Sequence, residues 1–385
     1  MLFNSNIRIP GPLLDRSEFG DDINILIGEN GSGKSTVLNE VAKYYLASQR
    51  YKVIAVANTI HDKFNIRDNR FEILRASTGK TIAKKTLKRA LKLLSSDDNK
   101  RINNIGAALK YVNLDPVIGL QVKGINKDYR YIIEEAELDS KIKKDLIFCL
   151  SRFVEESQYG DDIQRINLHH GNFYDLRDSF LISILLYEEQ LRRLKIVKKI
   201  EVYLCKERQM LPVNSASSGE LTMITSLLYL TISIDTRSIV LIDEPENSLH
   251  PKWQTEYVKL LVDHFHRYEP KIIIATHSPL IINAAEITSQ GVRVFKGSNG
   301  LFTDQHNDTQ NVEEMYQDYF DVTTPENRFL SEKIVKEMNQ LAAGMMNLEE
   351  FEHSINDFKD SSYSDQQKEA LDGIIEMGRK IKERQ

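Results

Sequence analysis

The chain has 385 residues, of which 41% are hydrophobic and 28% are charged, and 51 Lys and Arg against 56 Asp and Glu give it a formal net charge of -5. This composition is typical of a globular protein with enough apolar residues for a buried core. It excludes a disordered chain, a collagen-like repeat and a small disulfide-bonded scaffold. The slight acidity gives no support to a bulk attraction for nucleic acid or membranes.

The expected compartment is the cytoplasm. Cys149 and Cys205 are the only cysteines, and their wide separation is typical of reduced thiols. No run approaches the roughly 20 consecutive apolar residues that cross a membrane, and the first residues lack the layout of a signal peptide. We therefore expect a cytoplasmic protein with no membrane partner.

Short apolar runs that are typical of buried β-strands occur at 23–27, 52–57, 200–204, 238–242 and 271–275. Apolar residues with helical spacing predict helices at 35–46, 221–230 and 253–268. Strands that alternate with helices indicate a largely parallel sheet covered on both faces. The predicted fold class is therefore α/β.

The remaining segments complete a four-part organisation. The stretch 61–198 is charged, poor in glycine and rich in helical patterns, so it predicts a compact helical insertion without a coiled-coil arm. Residues 292–304 predict a β-hairpin around Ser298-Asn299-Gly300, and from about 311 the chain predicts helices with a polar break at 360–362. The predicted parts are a first core part, the insertion, a second core part and a helical C-terminal segment, at 1–60, 61–198, 199–320 and 321–385.

The strongest motif is a glycine-rich phosphate-binding pattern, G-x-x-x-x-G-K-[ST], which stands directly after a predicted strand and before a predicted helix. Glycines let backbone N–H groups approach a polyanion, and the helix N-terminus adds a fixed positive potential. The candidate nucleotide-binding residues of this P-loop are Gly28, Asn30, Gly31, Ser32, Gly33, Lys34, Ser35 and Thr36. We expect Lys34 to reach the β- and γ-phosphates and Ser35 to bind Mg²⁺. The chain is therefore predicted to bind ATP.

Asp243 and Glu244 form an acid pair at the carboxyl end of the fourth predicted strand. Asp243 is the candidate metal residue, because it would hold the hydration shell of Mg²⁺. Glu244 is the candidate catalytic residue that orients and activates the attacking water. An apolar run that ends in two acids is common by itself. The assignment of this acid pair to ATP hydrolysis depends on the presence of the P-loop in the same chain.

Two further motifs have structural alternatives. Small residues at 216–219 precede a predicted helix, where a helix N-terminus makes an anion site; the alternative is a helix cap with Glu220 in the first turn. His277 follows the strand at 271–275, and ligands bind at the carboxyl ends of parallel strands; the alternative is a structural histidine.

In this order the four motifs resemble those of ATP-binding-cassette (ABC) ATPases. The resemblance is closest to the soluble branch of the structural-maintenance-of-chromosomes and recombination-repair ATPases and the overcoming-lysogenisation-defect nucleases. The run DEPENSLHP at 243–251 is similar to the acid-pair segment of those nucleases and of ATPase subunits in the bacterial anti-phage systems Septu and PARIS. The resemblance covers about 2–60 and 200–320. It implies an ABC-ATPase-like P-loop core that carries the insertion and the C-terminal segment.

The resemblance also implies a head-to-tail homodimer, or a higher oligomer, with ATP at the interface. The signature of one subunit would face the P-loop of the other, so that Ser217 and Gly219 meet the γ-phosphate and Glu220 fills the last place of the signature. His277 would contact the γ-phosphate from the P-loop side, and it joins Lys34 and Glu244 as a candidate catalytic residue. The segment 247–249 matches the start of the family's inter-subunit communication loop.

Two positions depart from the family pattern. Ser218 stands where the signature has its first glycine, which weakens the expected contact across the dimer. The metal-contacting glutamine at the end of the second core strand is absent, and Asn58 is the residue that would take its place.

Other residues are weaker candidates. A predicted amphipathic helix carries Lys80, Lys84, Lys85, Lys88, Arg89 and Lys92. These residues would contact phosphates of DNA or RNA, or form a solvated charged face. The run His169-His170-Gly171-Asn172 resembles a fragment of a histidine-asparagine-histidine nuclease, but no second histidine follows at a suitable spacing. No acidic cluster of a nuclease stands out after 320.

The sequence thus predicts a Mg²⁺-dependent ATP hydrolase. Its expected role is a nucleotide-driven switch or scaffold that senses a trigger and controls an effector protein in trans, in anti-phage defence. The alternatives are a DNA-repair or DNA-structuring ATPase that acts on nucleic acid, the ATPase subunit of a transporter, and a module that keeps ATP without hydrolysing it.

Overall fold

The computed structural model describes residues 8–17, 21–59, 61–75, 79–93, 99–157, 162–168, 180–247, 249–289, 291–298, 300–305, 328–360 and 365–383. These residues belong to two compact units. The first contains Met1–Tyr44, Pro251–Leu260 and Ile272–Gln385, and the second contains Tyr45–His250 and Leu261–Lys271.

The strands in chain order are β1 (Asp22–Ile27), β2 (Val53–Ala57), β3 (Phe71–Arg75), β4 (Asp115–Lys123), β5 (Gln164–Asn167), β6 (Lys199–Lys206), β7 (Gln209–Pro212), β8 (Ile239–Asp243), β9 (Lys271–Ala275), β10 (Arg293–Ser298) and β11 (Leu301–Gln305). The helices are α1 (Gly11–Leu14), α2 (Lys34–Ala47), α3 (Gly79–Lys92), α4 (Asn99–Tyr111), α5 (Tyr129–Glu135), α6 (Ser140–Ser157), α7 (Phe180–Leu186), α8 (Glu188–Arg193), α9 (Ser218–Ser233), α10 (Pro251–Phe265), α11 (Pro279–Thr288), α12 (Arg328–Ala342), α13 (Leu348–Asp360) and α14 (Asp365–Glu383).

The first unit has a sheet of strand order β11-β10-β1-β9. Strand β10 pairs parallel with β1, from Asn24↔Arg293 to Ile27↔Lys296, and antiparallel with β11. The predicted hairpin at 292–304 is therefore confirmed, and its Gly300 has the positive φ (81°) that such a turn requires. The last five residues of β1 are buried, as expected for an apolar strand inside an α/β core.

The C-terminal helices of the first unit have a core of their own. Helix α14 packs against α12 and α13. Their buried side chains are Ile334, Leu341, Phe351, Ile355, Phe358, Leu371 and Ile375. The prediction of a helical C-terminal segment is confirmed for 328–360 and 365–383. Residues 306–327 and the rest of the predicted break, 361–362, lie outside the described residues.

The second unit has a parallel sheet of order β8-β2-β3. Its register runs from Val53↔Ile239 to Ala57↔Asp243, and every residue of β2 and β8 is buried. A parallel strand is covered on both faces, which explains why these strands are continuous apolar runs. The mainly parallel sheets and the covering helices confirm the α/β fold class.

The stretch 61–198, predicted as a compact helical insertion, contains the strands β3, β4 and β5 besides its helices. Strand β3 extends the parallel sheet beside β2. Strands β5 and β4 join an antiparallel sheet of order β5-β4-β6-β7. The pairing of β4 with β6 joins residues that are far apart in the chain, such as Ile118 and Leu204, which are 86 positions apart. Such distant partners leave no local periodicity. The four-part division of the chain stays a prediction.

Helices of the insertion cover the predicted signature helix. Helix α9 packs against both α3 and α4 within the second unit. Arg101 of α4 donates hydrogen bonds to the carbonyls of Ile232 (2.8 Å) and Ile234 (2.9 Å) at the C-terminus of α9. A guanidinium group at this end of a helix satisfies terminal carbonyls and interacts favourably with the helix dipole.

Candidate nucleotide-binding site

The predicted P-loop connects β1 to α2 in the first unit. Gly28, Gly31 and Gly33 have φ values of 139°, 87° and 102°, in the region that favours glycine. The backbone N–H of Val37 donates to the carbonyl of Gly33 (2.9 Å) and starts the helix. The motif therefore has the strand, loop and helix N-terminus that phosphate binding requires.

Lys34 lies inside this loop. Its ammonium group donates to the carbonyl oxygens of Gly28 (2.8 Å) and Glu29 (3.1 Å), and only 6% of the residue is exposed. The charge is thus held at the mouth of the loop by backbone dipoles. A triphosphate would offer this ammonium group stronger, charge-assisted partners.

Ser32 is a second residue of the loop whose environment suits a bound phosphate. It is 6% exposed, and its hydroxyl oxygen has no hydrogen-bond partner among the described residues. Its backbone N–H donates to Glu29 (3.1 Å) and its carbonyl accepts from Gly300 (3.3 Å). A buried hydroxyl with an unused hydrogen-bonding capacity is costly, and a phosphate oxygen would satisfy it.

The β10–β11 hairpin supports the P-loop from the side. A Cβ atom at Gly28 would lie 2.5 Å from the carbonyl oxygen of Gly297 and 2.9 Å from the hydroxyl of Ser32. The first glycine of the motif is therefore required by backbone conformation and by space. The sequence predicted the hairpin but not this contact, which depends on the parallel register of β10 with β1.

His277 follows β9 in the same unit. The backbone N–H of Thr276 donates to the carbonyl of Leu26 (3.0 Å), two residues before the P-loop. Ser278 donates its hydroxyl to Gln254 (2.6 Å) and is the N-cap residue of α11. The half-buried His277 is thus held between two anchored residues, at the same end of the sheet as the P-loop.

The acid pair ends β8 in the second unit. Asp243 is fully buried and its backbone carbonyl accepts a hydrogen bond from the N–H of Asn58 (3.0 Å). Asn58 therefore lies beside the acid pair, directly after the neighbouring strand β2. Its contact with a metal stays a prediction. Glu244 has a left-handed backbone (φ 51°), which is uncommon for a residue other than glycine.

The strained turn brings Asn247 to Glu244. The side-chain amide of Asn247 donates to the carboxylate of Glu244 (2.8 Å) and to the carbonyl of Asn58 (3.4 Å). The sequence placed Asn247 only in a communication loop and missed this role. The spacing of three residues after a strand end, typical of a turn, was the available signal.

The predicted signature begins α9. Ser217 is the N-cap: its hydroxyl accepts from the N–H of Glu220 (3.1 Å), and the Glu220 carboxylate accepts from the N–H of Ser217 (2.9 Å). This reciprocal pair is a capping box. Ser217 and Ser218 are exposed, whereas Gly219 is buried. The exposed N-terminus of a 16-residue helix suits an anion, but the Glu220 carboxylate itself is used in the cap.

Lys206, in the β6–β7 hairpin, also contacts this cap. Its ammonium group lies 2.8 Å from Oε1 of Glu220, the carboxylate oxygen that does not bond to the N–H of Ser217. Burial raises the pKa of Glu220, but the hydrogen bonds from Lys206 and Ser217 outweigh it and leave the pKa below the ordinary 4.5. The same contact raises the pKa of Lys206. The sequence missed Lys206, since it lies 14 positions before its partner.

The residues present fit a magnesium triphosphate. Magnesium is usually bound through one or two side chains together with phosphate oxygens and water. The hydroxyl of Ser35 and the carboxylate of Asp243 each offer oxygen atoms of the type that Mg²⁺ prefers. Within the part of the chain that the structure describes, no group of three or more His, Cys, Asp or Glu side chains could hold a metal ion by itself.

The structure describes only some of the remaining candidates. His169–Asn172 lie outside the described residues, and of Lys80 only the backbone is described. Cys149 and Cys205 are buried free thiols, and burial raises the pKa of both. Among the described helices, none combines the length and the apolar character that a membrane crossing demands.

Comparison with known families matches residues 62–283, more than half of the chain, to the family described as "AAA domain, putative AbiEii toxin, Type IV TA system". The chain belongs to this AAA-domain family. The matched residues include the capping box, the acid pair and His277, whereas the P-loop lies before them.

A relative of this AAA-domain protein is "Retron Vc95 probable ATPase" of Vibrio cholerae serotype O1 biovar El Tor. The two are 27% identical over 178 residues, which cover 40% of this chain and 34% of the relative. The chain thus matches about a third of the relative's length. Together, the family and the relative support a P-loop ATPase.

Proposed function

We propose that this AAA-domain protein is a Mg²⁺-dependent ATPase of the ABC type that acts as a nucleotide-driven switch and controls a partner effector in bacterial anti-phage defence. The observation that carries the ATPase part is the P-loop, where three glycines with positive φ surround a buried lysine. The similarity of DEPENSLHP to the Septu and PARIS subunits supports the defence role.

In this proposal the chain's own residues have separate tasks. The P-loop N–H groups and Lys34 bind and orient the triphosphate. Ser35 and Asp243 would hold Mg²⁺, which would neutralise charge on the phosphates. Glu244, oriented by Asn247, accepts a proton from the attacking water, and His277 positions the γ-phosphate.

We propose a homodimer in which Ser217 and Gly219 of one protomer complete the site of the other. The exposed N-terminus of α9 supports this arrangement, because a helix N-terminus attracts a phosphate. Such a switch needs only different affinities for the two nucleotide states, so slow hydrolysis suffices. The family description names a toxin–antitoxin system, which pairs two components and supports a role beside a partner.

Affinity purification of Glu244→Gln from its native host tests the switch. With Mg-ATP present, we expect a stoichiometric second protein that dissociates when ATP is removed and that Lys34→Ala, the nucleotide-binding control, does not retain. An eluate with no second protein under either condition would contradict effector control. Nucleic acid alone in the eluate would favour an ATPase that acts directly on nucleic acid.

A further inference from the structure

A cleft between α3 and α8 is lined by six basic side chains and two carboxylates. Its volume is about 630 Å³, and the basic residues are Lys85, Lys88, Arg89, Lys92, Arg192 and Arg193. The chain as a whole is acidic, so this excess of four positive charges is a local feature. We call it the α3–α8 cleft.

Internal ion pairs account for only part of this charge. Lys88 pairs with Glu188 (2.5 Å) and Arg89 lies 3.6 Å from Glu72. Among the described residues, no ion pair neutralises Lys85, Arg192 or Arg193, all of which are exposed. Like charges brought together repel each other, and a bound anion would relieve that repulsion.

The basic residues of α3 form a regular row. Lys85, Lys88, Arg89 and Lys92 follow the i, i+3, i+4, i+7 spacing of one helix face and extend over about 10 Å. The opposite face is buried, with Leu87 as a representative, and the helix packs against α9. The helix therefore presents its charges to the cleft while its apolar face contacts the predicted signature helix.

We propose that the α3–α8 cleft binds the phosphodiester backbone of single-stranded nucleic acid. Among the described residues, the lining consists of charged side chains without an aromatic ring, so these residues offer contacts to phosphates and none for stacking bases. A flexible strand can enter a recess between two helices, and a row of cations along one helix suits successive phosphates. Binding would depend on length and salt but little on sequence.

A chain of contacts links this cleft to α9. Arg89 lies near Glu72, and Glu72 accepts a hydrogen bond from Ser233 (2.5 Å), the last residue of α9. A phosphate at Arg89 competes with Glu72 and so changes the contact at the end of the helix whose first turn is the predicted signature. This coupling rests on the proposed function, whereas binding to the cleft does not.

The test measures fluorescence anisotropy of labelled oligothymidylate and oligouridylate of about 20 nucleotides with the nucleotide-free protein. The variant Lys85→Gln/Arg192→Gln/Arg193→Gln removes three charges from the cleft. Its matched control, Lys127→Gln/Lys141→Gln/Lys144→Gln, removes three exposed charges elsewhere in the same unit. Inorganic tripolyphosphate serves as a competitor, and ATP turnover is measured with and without oligonucleotide.

We expect the cleft variant to bind the oligonucleotides at least about tenfold more weakly than wild type. The slope of log affinity against log salt concentration should become less steep by about two, because three charges are lost. The control variant should match wild type in both respects. Equal loss in both variants, or none in either, would overturn the proposal. Tripolyphosphate that displaces the labelled oligonucleotides completely at a matched concentration of phosphate groups would assign the cleft to a small polyphosphate instead. Oligonucleotide binding by a protein without ATP turnover would contradict the proposed function and leave the cleft proposal standing.

Discussion

The side-chain amide of Asn247 donates a 2.8 Å hydrogen bond to the carboxylate of Glu244. This contact exists because Glu244 has a left-handed backbone and turns the chain after β8. A carboxylate that accepts a proton from water must be held in one orientation. Asn247 is therefore a positioning residue for the proposed general base.

The change Asn247→Leu tests this role. We expect ATP turnover to fall about tenfold to a hundredfold, the usual cost of losing a partner that orients a reactive group. ATP affinity should stay unchanged, since Asn247 lies away from the P-loop in sequence and supports only the acid pair. Asn247→Asp is the matched variant, because it keeps the size but places a like charge against Glu244. Steady-state turnover and calorimetric affinity together check the prediction, and a loss of affinity with normal turnover would contradict it.

Ser217 combines a structural role as the N-cap of α9 with a predicted role in nucleotide binding, and two substitutions separate these roles. Ser217→Ala removes the cap and should lower the free energy of unfolding by about 1 kcal/mol. Ser217→Asp keeps a good N-cap but adds a negative charge where the γ-phosphate is expected. We expect it to unfold like wild type in urea and to lose most of its ATP turnover. Normal turnover in Ser217→Asp would remove Ser217 from the nucleotide site.

The Glu220–Lys206 pair makes stability depend on pH. Because the folded-state pKa of Glu220 lies below the ordinary 4.5, the carboxylate stabilises the fold above pH 4.5, and this contribution is lost as the pH falls below that value. The difference in free energy of unfolding between wild type and Glu220→Gln should therefore shrink in acid. Urea unfolding at several pH values measures it, and Glu135→Gln, an exposed carboxylate on α5, is the control. A difference that grows in acid would contradict this sign.

The glycine positions of the P-loop differ in how strictly they require glycine. Gly28→Ala combines a positive φ with a Cβ 2.5 Å from the Gly297 oxygen, whereas Gly31→Ala has the positive φ but open space around it. We expect ATP affinity to fall most in Gly28→Ala and less in Gly31→Ala. Gly373→Ala, in open space on α14, should keep ATP affinity and raise stability by about 0.5–1 kcal/mol. Calorimetry ranks the three variants, and equal affinities for Gly28→Ala and Gly31→Ala would contradict the contact with the hairpin.

Elements whose structure depends on residues close together along the chain were predicted correctly from the sequence. The five predicted β runs became β1, β2, β6, β8 and β9. Continuous apolar runs bounded by turns are typical of covered parallel strands such as β2 and β8, whereas β6 largely alternates buried and partly exposed residues in the antiparallel sheet. The P-loop and the hairpin at Gly300 were predicted for the same reason, since glycine at a positive φ leaves a local signature.

Features that depend on distant partners were missed. Strand β4 contains Pro116 and Gly119, which argue against a strand, and its register is interrupted between Asp115 and Ile118. It is stabilised by pairing with β6, far along the chain. The contact of Lys206 with Glu220 likewise requires the β6–β7 hairpin to be folded, so no local pattern predicts it.

The central claim is that the P-loop and the acid pair make this protein an ATPase, and one paired measurement tests it most directly. ATP binding and steady-state hydrolysis are measured for wild type, Lys34→Ala and Glu244→Gln in Mg²⁺. We predict that Lys34→Ala loses ATP binding, and that Glu244→Gln binds ATP like wild type but hydrolyses it about a hundredfold to ten-thousandfold more slowly. Unchanged ATP affinity in Lys34→Ala, or near-normal turnover in Glu244→Gln, would contradict the account.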